Sequence, residues 1–414
     1  MNDKFSIKKL SLIFSWCIYD LANQFFALNI VSLYFARWIL VDKGAPEICY
    51  SLTYGVSVFL VAILAPLLGY IADATKSHRL FLNWFTMIAV IFTISLGFTD
   101  QVNTALLFFA LANFGCQMAG VFYNSMMVYV APRNKVGLIS GLGRVFSYFG
   151  AIISVYLMKP IVLQHGNHGT FFPTGLLFLA FALPCMLFIK EETSSENVFS
   201  WFQKEKIADT IKTIRNSLMR TYRTPGLAPF LKASFFALSA VSIIILFMSV
   251  YVTQVFKLND SQIVDLTVIG TIAAIVGSFL FGCISDYVGY RFCLFWVMIF
   301  WMTAFTVGAL MTAPKLFWLV GVVVGLALGS TFSVSRAYIV RLIPQDEIGE
   351  AFGLFNFVGY ASNILGAIFW GGITFFLSFY GEWKYRIALL SLNIFMVIAL
   401  IYLAKIPKLK KVYE

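Results

Sequence analysis

Apolar residues run in stretches of about 20 or more along most of this chain, and polar residues gather in short clusters between them. That length is what an α-helix needs to cross a bilayer, whereas a transmembrane barrel would alternate in character over segments of about ten residues. The pattern therefore predicts an all-α membrane protein with twelve transmembrane helices. They are placed at residues 10–39, 50–72, 80–98, 103–130, 137–163, 171–189, 228–256, 262–284, 292–313, 315–341, 349–379 and 386–404. The first run follows Lys8 and Lys9, as a signal peptide would. It is longer than a signal's apolar core and has no cleavage-like site, so it reads as a retained first helix.

Residues 190–227 break the pattern: they are polar, mixed in charge and closed by Pro225 and Gly226, with six predicted spans on either side. The expected organisation is an N-terminal six-helix bundle over 1–189, a cytoplasmic central loop over 190–227 and a C-terminal six-helix bundle over 228–414. Within the loop, Ile207, Ile211, Ile214 and Leu218 recur at helical spacing opposite Lys206, Lys212 and Arg215. That spacing predicts a short amphipathic helix lying on the cytoplasmic membrane surface.

The two halves repeat one another. Residues 123–153 slide without gaps onto 335–365 and match Val128 with Val340, Pro132 with Pro344, Gly137 with Gly349, Gly141 with Gly353, Leu142 with Leu354, Tyr148 with Tyr360 and Ile152 with Ile364. A shorter echo follows the second span of each half, where GYIADATKSHR (69–79) corresponds to GCISDYVGYR (282–291). Parallel six-helix repeats are the layout of a two-bundle transporter whose substrate site lies between the halves.

Composition narrows the class further. Hydrophobic residues make up 60% of the chain and charged ones 12%, about half the usual soluble share, so this is an integral membrane protein. The net charge of +11 needs no nucleic-acid partner. With both termini inside, 20 of the 30 Lys and Arg residues fall on the cytoplasmic side, which is the positive-inside rule. The six cysteines show no CxxC or zinc-type spacing and read as buried, inert thiols. His165 and His168 form an HxxH pair without nearby carboxylates or cysteines, a weak metal signal, and no metal or cofactor is expected. There is no GxxxxGK[ST] run, so energy would come from an ion or substrate gradient.

A few polar residues inside the spans are the candidate chemistry, because charge is costly there and marks functional sites. Asp20 falls about ten residues into the first span, roughly 15 Å deep. Asn23 and Gln24 follow at i+3 and i+4, with Trp16 one turn before, so all four share one face. Arg144 in span 5 and Arg336 in span 10 exchange places with asparagines across the repeat: Arg144 aligns with Asn356, and Arg336 with Asn124. Gln117 and Asn124, with Asn113, form a polar face on span 4, as Asn356, Tyr360 and Asn363 do on span 11. Each has a structural alternative: the arginines as interface residues that snorkel, Asp20 as half of an ion pair or a helix cap, and the amides as helix-to-helix hydrogen bonds. Gly321, Gly325 and Gly329, repeating at four in span 10, read as a site of close helix contact.

The paired GxxxD loops, each followed by a basic residue, resemble the hallmark loop of the major facilitator superfamily, as do the twelve spans and long central loop. The first copy departs in having Ser77 where the pattern has glycine. The resemblance implies the major facilitator fold, two pseudo-symmetric six-helix bundles. It also implies gating roles for Asp73 with Arg79 and for Asp286 with Arg291, as acid–base latches at the cytoplasmic ends of helices. WCIYDLAN (16–23), FYNSMMVYVAP with GLISGLG (122–143), and SRAYIVRLIP with EAFGLFNFVGYASNILG (335–366) are similar to the vacuole-effluxer branch of that superfamily and its bacterial relatives. The likeness departs at Gln24, Arg144, Phe332 and Ala367.

Together these features lead to the expectation of a secondary transporter, not an enzyme, working by alternating access, monomeric, in a bacterial cytoplasmic membrane with both termini inside. An acid combined with arginines suits a zwitterion, so the expected substrate is an amino acid or a similar small polar metabolite. Asp20 would bind a substrate ammonium or titrate as a proton-coupling site. A larger amphiphile as cargo, or a non-transporting nutrient sensor, are the alternatives. A membrane enzyme would need clustered catalytic groups, and the three histidines, His78, His165 and His168, are expected in loops.

Overall fold

The computed structural model describes residues 7–45, 47–189, 191, 207–258 and 260–407. Almost all of them are helical. In chain order the helices are α1 (Ile7–Phe26), α2 (Tyr34–Arg37), α3 (Glu47–Thr75), α4 (His78–Leu96), α5 (Val102–Ser125), α6 (Met127–Val130), α7 (Val136–His165) and α8 (Phe171–Phe188). They continue with α9 (Ile207–Arg223), α10 (Leu227–Phe256), α11 (Asp260–Val288), α12 (Tyr290–Leu310), α13 (Pro314–Leu342), α14 (Ile348–Phe376) and α15 (Trp383–Ala404).

Eleven helices among the described residues are long and apolar enough to cross a membrane. They cover the predicted second to twelfth spans. The first predicted span differs: it is helical from Ile7 to Asp42, but α1 gives way to a π-helix at Ala27–Leu33, returns to α geometry in α2, and turns π again at Trp38–Asp42. Polar Lys8, Lys9 and Asp20 all fall within its longest α segment.

The chain divides into two compact units. The first comprises Met1–Leu218 together with Pro344–Gly353, and the second Met219–Ile343 with Leu354–Glu414. The first turns of α14, as far as Gly353, thus group with the helices of the first unit.

Within the first unit α1 packs on α7 and α8, α3 on α5, and α4 on α5 and α8. The second unit repeats the scheme six spans on: α10 packs on α15, α11 on α13, and α12 on α13 and α15. The glycines of span 10 explain one of these pairings. A Cβ on Gly325 or Gly329 would collide with the carbonyl oxygen of Gly270 or Ala274, and one on Gly321 would stand 2.5 Å from Leu266 Cδ1, so α13 meets α11 almost backbone to backbone. The close-contact reading of that repeat holds.

Large apolar side chains that stay outside, such as Phe59, Ile63 and Trp84 in the first unit and Ile245 and Ile368 in the second, are over half exposed, as a lipid-facing surface requires. The helix expected from residues 207–218 is present as α9, but it does not simply lie on a membrane. Ser217 and Thr221 on it are buried, and the Ser217 hydroxyl donates to Glu350 Oε1 at 3.0 Å. Lys212, Arg215 and Arg223 remain exposed, whereas Lys206 lies outside the described residues.

Candidate functional site

The polar stripe of α1 is held in place by aromatic packing. Trp16 is fully buried, and its indole N–H donates to the Tyr123 carbonyl at 3.1 Å, just ahead of the break between α5 and α6. Its ring stacks on Tyr123 with centroids 4.7 Å apart, Tyr19 stacks on the same ring at 4.9 Å, and the Tyr19 hydroxyl lies 2.5 Å from Thr86 Oγ1 on α4. Three helices are locked together around this stack. Asp20, one turn beyond Trp16, is 5% exposed, and Asn23 and Gln24 on the same face are half-buried.

On the neighbouring elements of the first unit, Gln117 and Asn124 on α5 and Arg144 on α7 are also half-buried. The Cys116 thiol, beside Gln117, reaches Asn23 Oδ1 at 4.0 Å, so the polar faces of α1 and α5 meet. Asn113 takes the second of its two expected roles, a helix-to-helix hydrogen bond. It is fully buried and donates Nδ2–H to Ser57 Oγ on α3 at 2.7 Å, a tie between helices. The approach of α7 to α1 rests on small residues, for a Cβ on Gly150 would stand 2.6 Å from the Leu21 carbonyl oxygen. Just beyond, Ser154 Oγ donates to Asn29 Oδ1 in the π-helix at 2.8 Å.

In the second unit, Arg336 on α13 is 3% exposed. One turn earlier Thr331 accepts the Trp301 indole N–H at 2.9 Å, which ties α13 to α12. Along α14, Asn356 and Tyr360 are half-buried and Asn363 is exposed. The Asn356 Nδ2 atom is shut off from solvent and has no hydrogen-bond partner among the described residues, which leaves a donor unused.

The GxxxD loops take a form that the sequence did not reveal. Gly69 and Gly349 touch backbone to backbone, and one turn after Gly69 the Asp73 carboxylate receives the N–H groups of Gly349 and Glu350, each at 2.9 Å. An acid on α3 therefore caps the first turn of α14, where free N–H groups and the helix dipole favour negative charge. The expected partner of Asp73 is Arg79; its actual side-chain partner is His78, whose Nε2 lies 2.8 Å from Oδ1. Arg79 instead donates Nε–H to the Met186 carbonyl at 2.7 Å, at the end of α8.

The second copy repeats the contacts to the next helix and to the sixth span. The first residue of α12, Tyr290, donates its hydroxyl to Asp286 Oδ1. Arg291, the next residue, donates to the carbonyls of Ile406 and Ala404 at 2.6 and 2.7 Å, at the end of α15. Aligned by helix start, His78 corresponds to Tyr290 and Arg79 to Arg291. In both copies the acid thus takes the ring of the residue that opens the next helix, and the arginine serves carbonyls at the end of the sixth span, where the ladder leaves them without partners. The first turn is one residue longer, which moves the left-handed backbone position from Gly289 (φ 105°) to Lys76 (φ 46°).

Sequence reasoning missed His78 and Glu191. His78 is not in a loop: it opens α4 and is 1% exposed. Glu191 Oε1 lies 2.8 Å from His78 Nδ1 and accepts the His78 backbone N–H at 3.1 Å, while Oε2 accepts that of Arg79 at 2.7 Å. The available signal was the aromatic Tyr290 in the second copy. At the opposite end of the unit, the HxxH pair has a structural member: His168 Nε2 lies 3.0 Å from the Thr99 carbonyl, and no metal-ligand cluster occurs among the described residues.

A chain of long apolar helices in two repeated units, with an acid and arginines in their interior and a GxxxD turn after the second span of each, is a multi-pass membrane transporter of the major facilitator fold. Solved structures agree on the fold. The human organic anion transporter MFSD10 (TETRAN) superposes with a TM-score of 0.75 at 12% identity, covering 96% of this chain and 99% of that one. The proton:xylose symporter XylE gives 0.71 at 12% identity, covering 96% of each chain. The family model described as "Vacuole effluxer Atg22 like" matches residues 129–412, and the chain belongs to that family. Among relatives, an MFS-type transporter of Bacillus subtilis, YxiO, is 25% identical across 95% of this chain and 94% of its own length. A protein of Aquifex aeolicus is 24% identical across 88% of each.

Proposed function

We propose that this transporter moves a small polar metabolite, in the first instance an amino acid, by alternating access in a cytoplasmic membrane with both termini inside. The observation that carries the reading is Asp20, 5% exposed on a face of α1 shared with Asn23 and Gln24, in a unit that also places the half-buried Arg144 on the adjoining α7. A carboxylate and a guanidinium are the complements of an ammonium and a carboxylate. Asn124, Arg336, Asn356, Tyr360 and Asn363 are the further candidates for substrate contact, and the unused Asn356 donor supports that role. Asp73, Arg79, Asp286 and Arg291 belong to gating in this reading, with Asp73, Arg79 and Arg291 acting through the helix ends they hold. Asp20 is also the candidate proton-coupling site, as an acid buried within the first span.

The test is a thermal-shift screen of purified protein against amino acids, sugars, organic anions and amphiphiles, followed by counterflow in proteoliposomes. A ligand at 100 times its Kd should add about 2.7 kcal/mol to the folded state. Stabilisation by amino acids, with counterflow abolished in Asp20→Asn, is the expected result. Stabilisation only by an organic anion or a larger amphiphile would replace the amino-acid reading, and binding without counterflow would point to a sensor. If Asp20→Asn keeps the wild-type rate and pH dependence, Asp20 has no coupling role.

A further inference from the structure

His78 connects three elements of the first unit. Its Nε2 faces Asp73 Oδ1 on α3 and its Nδ1 faces Glu191 Oε1 beyond α8, each at 2.8 Å. Asp73 in turn receives the two N–H groups at the start of α14, and the place of a Cβ on Gly349 lies 3.0 Å from His78 Nε2, so the imidazole packs directly on that turn. A neutral imidazole has one N–H and one lone pair. With a carboxylate at each nitrogen, it would set a lone pair against a carboxylate oxygen on one side, in a site with almost no solvent. Both contacts are hydrogen bonds only when the assembly holds one more proton than a neutral ring between two carboxylates, whichever atom carries it.

We propose that His78 is a proton-binding positioning residue: its protonated form fastens the first turn of α14 to α3, and loss of that proton loosens the fastening. Other charged or titratable groups stand around the ring. Arg79, next in α4, is committed to the Met186 carbonyl, and Tyr129 on α6 presents its ring at 6.1 Å. Lys76 in the turn is exposed, Glu347 lies in the turn before α14, and Glu350 uses its backbone N–H on Asp73 and its carboxylate on Ser217. The second copy has Tyr290 at the equivalent place, a donor that keeps its proton through the physiological range. Of the two copies, the first carries the histidine, the side chain that ordinarily titrates near neutral pH. Because the fastened state holds the extra proton, linkage favours it at lower pH and favours release as pH rises.

This inference rests on the transport reading only for its consequence, a transport rate that depends on the pH of the compartment reached by this end of the unit. The experiment is hydrogen–deuterium exchange of the full-length protein in nanodiscs from about pH 5 to about pH 9, a range spanning the ordinary histidine transition. Protection of the peptide containing Gly349 and Glu350 is compared with His78→Gln at each pH, which removes the intrinsic pH dependence of exchange. The wild type should be more protected at low pH and converge on the variant as pH rises, approaching tenfold per pH unit for one proton. A wild-type to variant ratio that stays constant across the range overturns the proposal. Should His78→Gln lose protection throughout the chain, Glu191→Gln decides, measured as the ratio of peptide 349–350 to a core peptide of α4: the transition must move to lower pH, and an unmoved transition is equally fatal. Because no substrate is involved, a clean pH response with no flux would count against transport alone, and flux without the response against the clamp alone.

Discussion

Gly69 and Gly349 meet backbone to backbone: a Cβ on Gly349 would stand 2.8 Å from the Gly69 carbonyl oxygen, and one on Gly69 would collide with that of Gly349. The glycine of GxxxD thus brings α14 close enough for the acid four residues later to cap it.

Gly69→Ala should separate this contact. Overpacking costs typically about 1–3 kcal/mol, and here it also lengthens the Asp73 hydrogen bonds to Gly349 and Glu350. The expected outcome is a lower melting temperature in detergent with faster amide exchange at the start of α14. An unchanged exchange pattern would show that the two backbones are not in contact.

The α11–α13 seam makes a sharper comparison. Gly325→Ala and Gly329→Ala each drive a methyl group into a facing carbonyl and should destabilise by about 1–3 kcal/mol. Gly372→Ala in α14 meets nothing within 4 Å and should gain up to about 1 kcal/mol from helix propensity. Thermal unfolding of the three variants tests the order; a loss in Gly372→Ala equal to the others would sink it.

Trp16→Phe keeps a ring against Tyr123 but removes the indole N–H from the Tyr123 carbonyl. Depriving a buried carbonyl of its donor costs about 1–3 kcal/mol. Because Asp20 sits one turn away on the same face, ligand affinity should fall along with stability. Equal affinity for wild type and variant would confine Trp16 to a packing role.

Two exposed ion pairs provide the control for pH experiments. Hydrogen bonding to Lys43 holds the Asp100 carboxyl below its usual range, and Lys257 does the same for Glu382. A depressed carboxylate contributes above its unfolded pKa and loses that contribution only as pH falls through the folded value, here below about 4. Between about pH 5 and about pH 9 both pairs stay constant, so Asp100→Asn and Glu382→Gln should leave any pH response at the α3–α14 contact unaltered.

Spans two to twelve were legible in the sequence because nothing but lipid or helix interior accepts such apolar runs. The acidic GxxxD positions were legible as well, through their duplication. The partners were not. Glu191 is 113 residues from His78, and Gly349 is 276 from Asp73, distances at which spacing carries no information. The motif's basic residue suggested an ion pair with the acid, yet Arg79 and Arg291 answer a different need, the unpaired carbonyls at helix ends. The role of Asn113 stayed open between two readings for a related reason: helical periodicity assigns a face, and whether that face meets a cavity or Ser57 depends on a helix elsewhere in the chain.

The two π segments of the first span bear on how Asp20 can turn. A π bulge stores one surplus residue within a helix. Each residue of an α-helix advances about 100°, so absorbing or moving that surplus re-indexes everything on one side of it without breaking the helix. Asp20 lies seven residues ahead of Ala27 and Trp38 opens the second segment, so a surplus residue shifted out of either segment would turn the carboxylate or the indole by about 100° while the rod between them stays whole.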